Sequence, residues 1–209
     1  MTRSCTTTLL TSFLLLFSTH GYGQKVLMLG DSLTAGYKID KEVAYPALIE
    51  KELKASGYPN ITVVNAGISG STTASGTQRL TWHLRSKPKP RVMVLALGAN
   101  DGLRGLKLEK SKENLIATIQ LAKKNNIVVI LAGMKIPTNY GAVYTNAFAK
   151  LYTEIAKQEK IALIPFLLEG VATIKKLNLS DGIHPNEEGH KILAKTVTSY
   201  LVPILKELK

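Results

Sequence analysis

The sequence predicts an α/β protein in which one parallel sheet of five strands carries helices on both faces. Five short apolar segments alternate along the chain with stretches of helical periodicity. Unbroken apolar runs are typical of strands buried on both faces, and such strands belong to parallel sheets because crossover helices cover both sides. The 209 residues contain no repeat and no interdomain linker. We therefore expect one three-layer α/β/α domain over residues 24–209.

The strands are predicted from short runs rich in aliphatic and β-branched residues. Gly30 ends the first run, and the third run is apolar throughout, which suits the centre of a sheet. The predicted strands are residues 26–29, 61–65, 92–97, 127–132 and 161–164.

The helices are predicted from apolar side chains spaced three and four residues apart. Pro46 suits the first turn of a helix over residues 45–56. Further helices are expected over residues 74–85, 112–124, 144–155 and 167–177, and from Glu187 onward. Pro203 is expected to end or kink the last helix. The side chains expected to face inward from that helix are Leu193, Val197, Tyr200, Leu201 and Ile204.

The first 23 residues are predicted to be a secretory signal peptide. Arg3 supplies a positive charge, residues 9–17 form a short apolar run, and small residues follow at positions suited to cleavage. The apolar run is shorter than the roughly 20 residues of a membrane span. We therefore expect a periplasmic or secreted protein without stable membrane insertion, and an uncleaved anchor is the alternative. Cys5, the only cysteine, lies in this segment.

The chain is basic, with a formal net charge of +12 from 27 Lys and Arg against 15 Asp and Glu. Its lysines are scattered, and no basic stretch is interleaved with aromatic residues as in RNA-binding surfaces. A solvated lysine-rich surface is the simplest interpretation, so nucleic acid is not expected as a partner.

A serine, a histidine and an aspartate are the candidates for chemistry. Ser32 follows the first strand by two residues, at the sheet edge where parallel folds bind ligands. A serine hydroxyl needs a base to accept its proton. His184 stands in a turn before Pro185, three residues after Asp181, a spacing that can bring carboxylate and imidazole together. His83 and His190 fall in predicted helices and are expected to be packing or surface residues.

Three hydrogen-bond donors follow strands one, two and three and are candidates for an oxyanion hole. They are the backbone N–H of Ser32, the backbone N–H of Gly70 and the side-chain amide of Asn100. Taken singly, Gly70 and Asn100 are ordinary turn residues. A parallel sheet, however, would bring all three to the edge that also carries Asp181 and His184.

Four segments resemble the four blocks of the GDSL, or SGNH, hydrolase family. They are Gly30-Asp31-Ser32-Leu33, Gly70, Gly98-Ala99-Asn100-Asp101 and Asp181-Gly182-Ile183-His184-Pro185. Longer stretches, including residues 30–37, 99–105 and 136–141, are similar to the branch that contains bacterial thioesterase I, lysophospholipase L1 and arylesterase enzymes. The resemblance spans essentially the whole chain after residue 23.

This resemblance implies a flavodoxin-like SGNH hydrolase fold and a role for each site residue. Ser32 would be the nucleophile, His184 the general base and acid, and Asp181 the carboxylate that orients it. Ser32 N–H, Gly70 N–H and the Asn100 amide would form the oxyanion hole. Ala99 departs from the glycine most common in its block, and its methyl group is expected to narrow the approach to the hole. Asp31 and Asp101 are interpreted as bracing hydrogen-bond acceptors.

The resemblance further implies a serine esterase acting on small-molecule acyl esters and thioesters, with lysophospholipid as one candidate substrate. Loop residues on the predicted catalytic edge could line an acyl groove: Ile68, Leu103, Ile136, Pro137 and Ile183. Residues 102–107 could act as a mobile flap or be a plain connecting loop.

Two alternatives remain open from the sequence. One keeps the chemistry and changes the substrate to O-acetylated carbohydrate, and the other is a non-catalytic flavodoxin-like binding module. Residues 30–36 lack the glycine patterns of nucleotide-binding loops, which counts against the binding module. No cofactor and no metal are expected, because serine chemistry needs none and the histidines are dispersed.

Overall fold

A computed structural model describes residues 24–208 and confirms the α/β fold with one parallel sheet. The sheet has five strands in the order β2-β1-β3-β4-β5, all parallel. The strands are β1 (Lys25–Gly30), β2 (Thr62–Gly67), β3 (Val92–Ala96), β4 (Val128–Ala132) and β5 (Ala162–Ile164).

Helices lie on both faces of the sheet and connect its strands. The α-helices are α1 (Ser32–Ala35), α2 (Tyr45–Ala55), α3 (Gly76–His83), α4 (Ala99–Leu103), α5 (Leu108–Lys124), α6 (Ala142–Glu159) and α7 (Glu187–Glu207). Helices α2 and α7 pack together on one side, and α3, α5 and α6 pack against one another on the other side.

The three central strands form the core of the molecule. Leu27, Met28 and Leu29 of β1 are fully buried, as are all five residues of β3. Burial on both faces explains why these segments are apolar without interruption. The strand register places Gly30 beside Gly67 on one side and beside Ala96 on the other. The carboxyl ends of the first three strands therefore lie level at one edge of the sheet.

The prediction of a helix over residues 167–177 is wrong. The structure has turns there, followed by a short 3-10 helix over Lys175–Leu177. Gly170 and Thr173 both have positive φ, 73° and 67°, which interrupts a right-handed helix. The apolar residues that suggested the helix, such as Leu167 and Val171, are buried from successive turns.

Helix α7 does not end at Pro203, as the sequence allowed, but continues to Glu207. Leu201 and Leu205 are fully buried on either side of the proline, so packing holds the last turn in place. Tyr200 and Ile204, which were expected to face inward, are only half-buried.

The predicted signal peptide lies outside the described residues. Within residues 24–208, no helix is both long enough and apolar enough to cross a membrane.

Candidate active site

Ser32 lies just beyond the carboxyl end of β1, one of the three central strands, and is the first residue of α1. The carboxylate of Asp31 caps this short helix by accepting a hydrogen bond of 3.0 Å from the Leu33 N–H. Gly36, with φ of 77°, reverses the chain directly after α1. The backbone N–H groups of Gly36 and Tyr37 both donate to the Ser32 carbonyl, at 3.2 and 3.1 Å. This tight turn fixes the backbone of Ser32 at the sheet edge.

The imidazole of His184 joins Ser32 to Asp181 through two hydrogen bonds. His184 Nε2 lies 2.9 Å from Ser32 Oγ, although 152 residues separate them in the chain. His184 Nδ1 lies 2.8 Å from Asp181 Oδ2. A hydroxyl, an imidazole and a carboxylate therefore form one hydrogen-bonded series, an arrangement that can transfer a proton away from the hydroxyl.

Asp181 is held in its ionised form by the turn in which it lies. Its Oδ1 accepts hydrogen bonds from the backbone N–H groups of His184, at 3.0 Å, and Ile183, at 2.9 Å. These bonds, with the contact to the His184 ring, lower the pKa of Asp181 to about 2. At neutral pH the carboxylate therefore accepts from Nδ1–H and leaves Nε2 free to accept the proton of Ser32.

Tyr37 is a site residue for which sequence reasoning assigned no role. Its ring packs against the His184 imidazole, with centroids 4.4 Å apart and an interplanar angle of 38°. The sequence signal was an aromatic residue just after the turn that carries the serine. Nothing local indicated that a histidine far along the chain would lie against it.

Of the residues predicted to form the oxyanion hole, Ser32 and Asn100 line the cavity and Gly70 does not. Asn100 lines the same cavity as Ser32, and its Nδ2 donates to the Ser71 carbonyl at 3.0 Å and to Asp31 Oδ2 at 3.4 Å. Gly70 follows β2 outside the cavity lining, and its carbonyl accepts from Arg104 Nη2 at 3.0 Å. The two loops meet through the contact between Asn100 and Ser71.

Asp101 braces these loops from below. It is buried and accepts hydrogen bonds from the Thr73 N–H at 2.9 Å, from Thr73 Oγ1 at 2.5 Å and from Ser111 Oγ at 3.0 Å. Its carboxylate thus ties the loop after β2 to α5. A buried carboxylate needs hydrogen-bond donors, and these bonds hold Asp101 in place. Because Asn100 precedes Asp101 directly in the chain, they also restrict the position of Asn100.

Arg79 of α3 performs a similar task at the ends of β1 and β2, and sequence reasoning did not single it out. Its Nη2 donates to the carbonyls of Gly30, at 2.9 Å, and of Ala66. Arg79 also lies near the carboxyl of Asp31, whose pKa is raised to about 6 because burial disfavours its charged form.

A cavity of about 650 Å³ opens beside Ser32 and His184. Four of the five residues predicted to contact substrate line it: Leu103, Ile136, Pro137 and Ile183. The fifth, Ile68, lies outside the lining and is 55% exposed. The segment after β5 also contributes apolar side chains that sequence reasoning missed: Phe166, Leu168 and Ala172. The last two fall within residues 167–177, which were assigned to a helix.

Two tyrosines anchor the segment over residues 102–107. The hydroxyl of Tyr140 donates to the Leu103 carbonyl at 2.9 Å, and the hydroxyl of Tyr144 donates to the Leu106 carbonyl at 2.8 Å. Leu103 itself belongs to α4.

The other two described histidines lie away from Ser32. His190 is buried, and its Nδ1 accepts a hydrogen bond of 3.1 Å from the Tyr45 N–H. Burial lowers the pKa of His190 to about 4. His83 is half-buried in the last turn of α3 and packs edge-on against Trp82. Within residues 24–208, no three His, Cys, Asp or Glu side chains are grouped as a metal site would require.

Comparisons with known proteins point to one family of hydrolases. Residues 28–192 match the family model described as the GDSL-like Lipase/Acylhydrolase family. The chain is 40% identical to the Esterase TesA of Pseudomonas aeruginosa over 192 residues, which are 92% of this chain and 94% of that protein. It is 36% identical to the Thioesterase 1/protease 1/lysophospholipase L1 of Escherichia coli strain K12, over 86% of this chain and 84% of that protein.

A solved structure is similar as well. The psychrotrophic esterase EstA from Pseudoalteromonas sp., in a structure inhibited by monoethylphosphonate, superposes with a TM-score of 0.82 at 30% identity. The match covers 88% of this chain and 99% of that one.

Proposed function

We propose an acyl-enzyme mechanism for this chain, which belongs to the GDSL-like lipase/acylhydrolase family and is a serine ester hydrolase. In this mechanism Ser32 is the nucleophile, His184 is the general base and acid, and Asp181 orients the imidazole. The observation that carries the proposal is the hydrogen-bonded series from Ser32 Oγ through His184 to Asp181, with distances of 2.9 and 2.8 Å.

In the first half-reaction, Ser32 Oγ attacks the acyl carbonyl carbon while His184 Nε2 takes the hydroxyl proton. The tetrahedral intermediate collapses when His184 returns that proton to the leaving alcohol or thiol, and the acyl group remains on Ser32. Water then attacks the acyl-enzyme with the same assistance and releases the carboxylic acid. The ionised Asp181 stabilises the imidazolium formed in each half-reaction.

We assign the oxyanion hole to three donors: the N–H of Ser32, the side-chain amide of Asn100 and the N–H of Gly70. Their hydrogen bonds would stabilise the negative charge on the tetrahedral oxygen. Asn100 borders the cavity beside Ser32, and its bond of 3.0 Å to Ser71 fixes the plane of its amide. The second N–H, whose contact with Asp31 Oδ2 is long at 3.4 Å, is the donor assigned to the oxyanion. Such donors stabilise the transition state because they are already oriented when the charge develops. The assignment of Gly70 rests on its place in the loop after β2, which the Asn100–Ser71 contact joins to the site.

The proposed substrates are carboxylic esters and thioesters with extended acyl chains, with lysophospholipid as one candidate. Apolar side chains dominate the cavity wall near Ser32, including Leu103, Ile136 and Phe166. Similar proteins are named as an esterase and as a thioesterase and lysophospholipase. Each methylene group that moves from water into an apolar groove lowers the free energy of binding. Longer acyl groups are therefore favoured over acetyl.

We also propose that residues 1–23 are a cleaved signal peptide and that the enzyme works in the periplasm or outside the cell. The support is the sequence pattern of Arg3 followed by the apolar run over residues 9–17. N-terminal sequencing of the protein recovered from the exported fraction tests this, and an intact Met1 would contradict it.

One experiment tests the mechanism and the substrate class together. A fluorophosphonate probe should label the wild type and leave Ser32→Ala unlabelled, with both proteins folded by circular dichroism. The wild type is then assayed on p-nitrophenyl esters of increasing acyl length, on acyl-CoA and on lysophospholipid. Strict preference for acetyl would support a carbohydrate O-acetyl esterase instead, and unlabelled, inactive wild type would support a binding module.

A further inference from the structure

The exposed apolar side chains of this protein are concentrated at the edge of the sheet that holds the candidate active site. Eight large apolar residues are exposed within residues 24–208, and six of them lie in segments that follow strands β2 to β5. We call these six the apolar rim: Ile68, Leu106, Tyr140, Val143, Ile174 and Ile183. The other two, Trp82 and Val128, lie at the last turn of α3 and the start of β4, toward the opposite edge.

Three members of the apolar rim lie at the cavity or next to residues that line it. Ile183 lines the cavity beside His184, and Ile174 directly follows the cavity-lining residue Thr173. Tyr140 is hydrogen-bonded to the carbonyl of Leu103, which also lines the cavity. Val143 is 89% exposed in the first turn of α6. Exposed side chains of this size, grouped at one edge of the sheet, indicate a binding surface.

Lysines directly follow two residues of the apolar rim in the sequence. Lys107 directly follows Leu106, and Lys175 and Lys176 directly follow Ile174. All three lysines are exposed and have no carboxylate partner in the described part of the chain. An apolar side chain flanked by unpaired lysines is suited to a phospholipid surface, where the apolar group enters the acyl boundary and the lysine lies near phosphate.

Charge alone does not identify this edge. The opposite edge is also basic, since Lys124 and Lys157 lie in the last turns of α5 and α6, and Lys87 and Lys89 precede β3. Within residues 24–208, only the catalytic edge combines free cations with several exposed apolar side chains. A purely electrostatic contact would not distinguish the two edges, whereas a lipid interface would.

We propose that the catalytic edge docks onto an anionic phospholipid surface, with the apolar rim inserted at the headgroup boundary. This inference rests on the proposed function and deepens it, because the cavity mouth would then open directly onto the lipid. An acyl chain could pass from the surface to Ser32 without crossing water. Soluble esters would still reach the site from solution.

Binding to vesicles tests the proposal, and it is measured on the protein recovered from the exported fraction. Phosphatidylglycerol–phosphatidylcholine vesicles are compared with phosphatidylcholine vesicles by co-sedimentation. The rim variant is Leu106→Ser/Val143→Ser/Ile174→Ser, none of which lines the cavity, and Trp82→Ser is the matched control on the opposite edge. We expect the rim variant to bind the anionic vesicles at least roughly tenfold more weakly and the control to bind like wild type.

A charge pair completes the design. Lys175→Glu/Lys176→Glu should weaken vesicle binding and reduce its salt dependence, while Lys124→Glu/Lys157→Glu should have little effect. Equal losses from both charge variants would indicate a non-specific electrostatic contact that favours neither edge, and would overturn the proposal. Failure of the wild type to bind anionic vesicles would overturn it as well.

Turnover of p-nitrophenyl butyrate separates this inference from the proposed function. All of these variants should retain wild-type turnover of the soluble ester and wild-type labelling of Ser32 by a fluorophosphonate probe. Loss of vesicle binding with turnover intact would then report only on docking. An inactive, unlabelled wild type that still binds vesicles would contradict the catalytic proposal and leave the docking surface standing.

Discussion

The ring of Tyr37 lies against the imidazole of His184, with the ring centroids 4.4 Å apart. The backbone N–H of Tyr37 donates to the carbonyl of Ser32 at 3.1 Å. One turn of chain therefore carries both the hydroxyl and the aromatic face that supports its hydrogen-bond partner. His184 comes from an exposed loop, and among the described residues its ring is otherwise held through hydrogen bonds by Asp181 and Ser32 alone, so the contact with Tyr37 restricts its rotation.

Replacing Tyr37 with leucine should lower kcat by roughly 10- to 100-fold, because the imidazole would sample orientations that do not reach Ser32. Tyr37→Phe keeps the ring and should remain near wild type. Steady-state assays on p-nitrophenyl butyrate provide the measurement, with thermal unfolding as the folding control. Equal damage from leucine and phenylalanine would assign the effect to the hydroxyl group instead.

Asp181→Asn should lower kcat by roughly 10²- to 10⁴-fold with little change in KM. The amide can still accept the N–H groups of Ile183 and His184, so the turn is preserved. Its NH₂ group, however, favours the tautomer in which His184 Nε2 carries the proton and cannot accept one from Ser32. Because the pKa of Asp181 is about 2, wild-type activity between pH 5 and pH 4 should not be lost through titration of this carboxyl.

The comparison with Asp181→Ala provides the control for this variant. Alanine also removes the acceptor of the two backbone N–H bonds, so it should loosen the turn in addition to losing the tautomer control. If Asp181→Asn kept nearly full activity, the proposed role of the carboxylate in orienting His184 would be wrong.

Asn100→Ala should lower kcat by roughly 10²- to 10³-fold, the usual cost of losing one donor from an oxyanion hole. KM should change little, because the lost interaction forms mainly in the transition state. Asn100→Asp is the matched variant of similar size, and its negative charge should make it at least as poor as alanine. Kinetics on one soluble ester suffice, and a large rise in KM with unchanged kcat would assign Asn100 to ground-state binding.

His190 and Asp31, two buried groups with shifted pKa values, should make opposite contributions to stability in acid. His190 has a folded pKa of about 4, below its ordinary 6.5, so the unfolded chain binds more protons between these values. This contribution lowers stability as pH falls from 6.5 to 4. Asp31 has a folded pKa of about 6, above its ordinary 3.8, so the folded chain binds more protons between these values. This contribution raises stability as pH falls from 6 to 3.8.

His190→Asn should remove the first contribution while keeping an acceptor for the Tyr45 N–H. Relative to wild type, the variant should gain roughly 3 kcal/mol of unfolding free energy between pH 7 and pH 4. Urea denaturation at several pH values measures this difference, in which the carboxylates common to both proteins cancel. A difference that stays constant with pH would mean that His190 does not titrate as its burial implies.

Much of the fold follows from local sequence patterns. The five predicted strands agree with β1 to β5 within two residues at each end, because unbroken apolar runs such as Val26–Leu29 are suited only to full burial. The segment after β5 was assigned wrongly, since its apolar residues have helical spacing while Gly170 and Thr173 adopt positive φ. Periodicity does not report the backbone conformation of single residues.

Ser32, Asn100, Asp181 and His184 could be named as candidates from sequence because each follows a predicted strand, parallel strands end at one edge, and the segments that hold them resemble the blocks of the GDSL family. The Asp181–His184 contact could also be expected, because it is made within one turn. What only the tertiary structure decided is the contact between His184 and Ser32, the packing of Tyr37 on the imidazole, and the gathering of exposed apolar side chains at one edge of the sheet. These depend on distances between segments far apart in the chain, which are fixed by how helices pack on the sheet and not by any local preference.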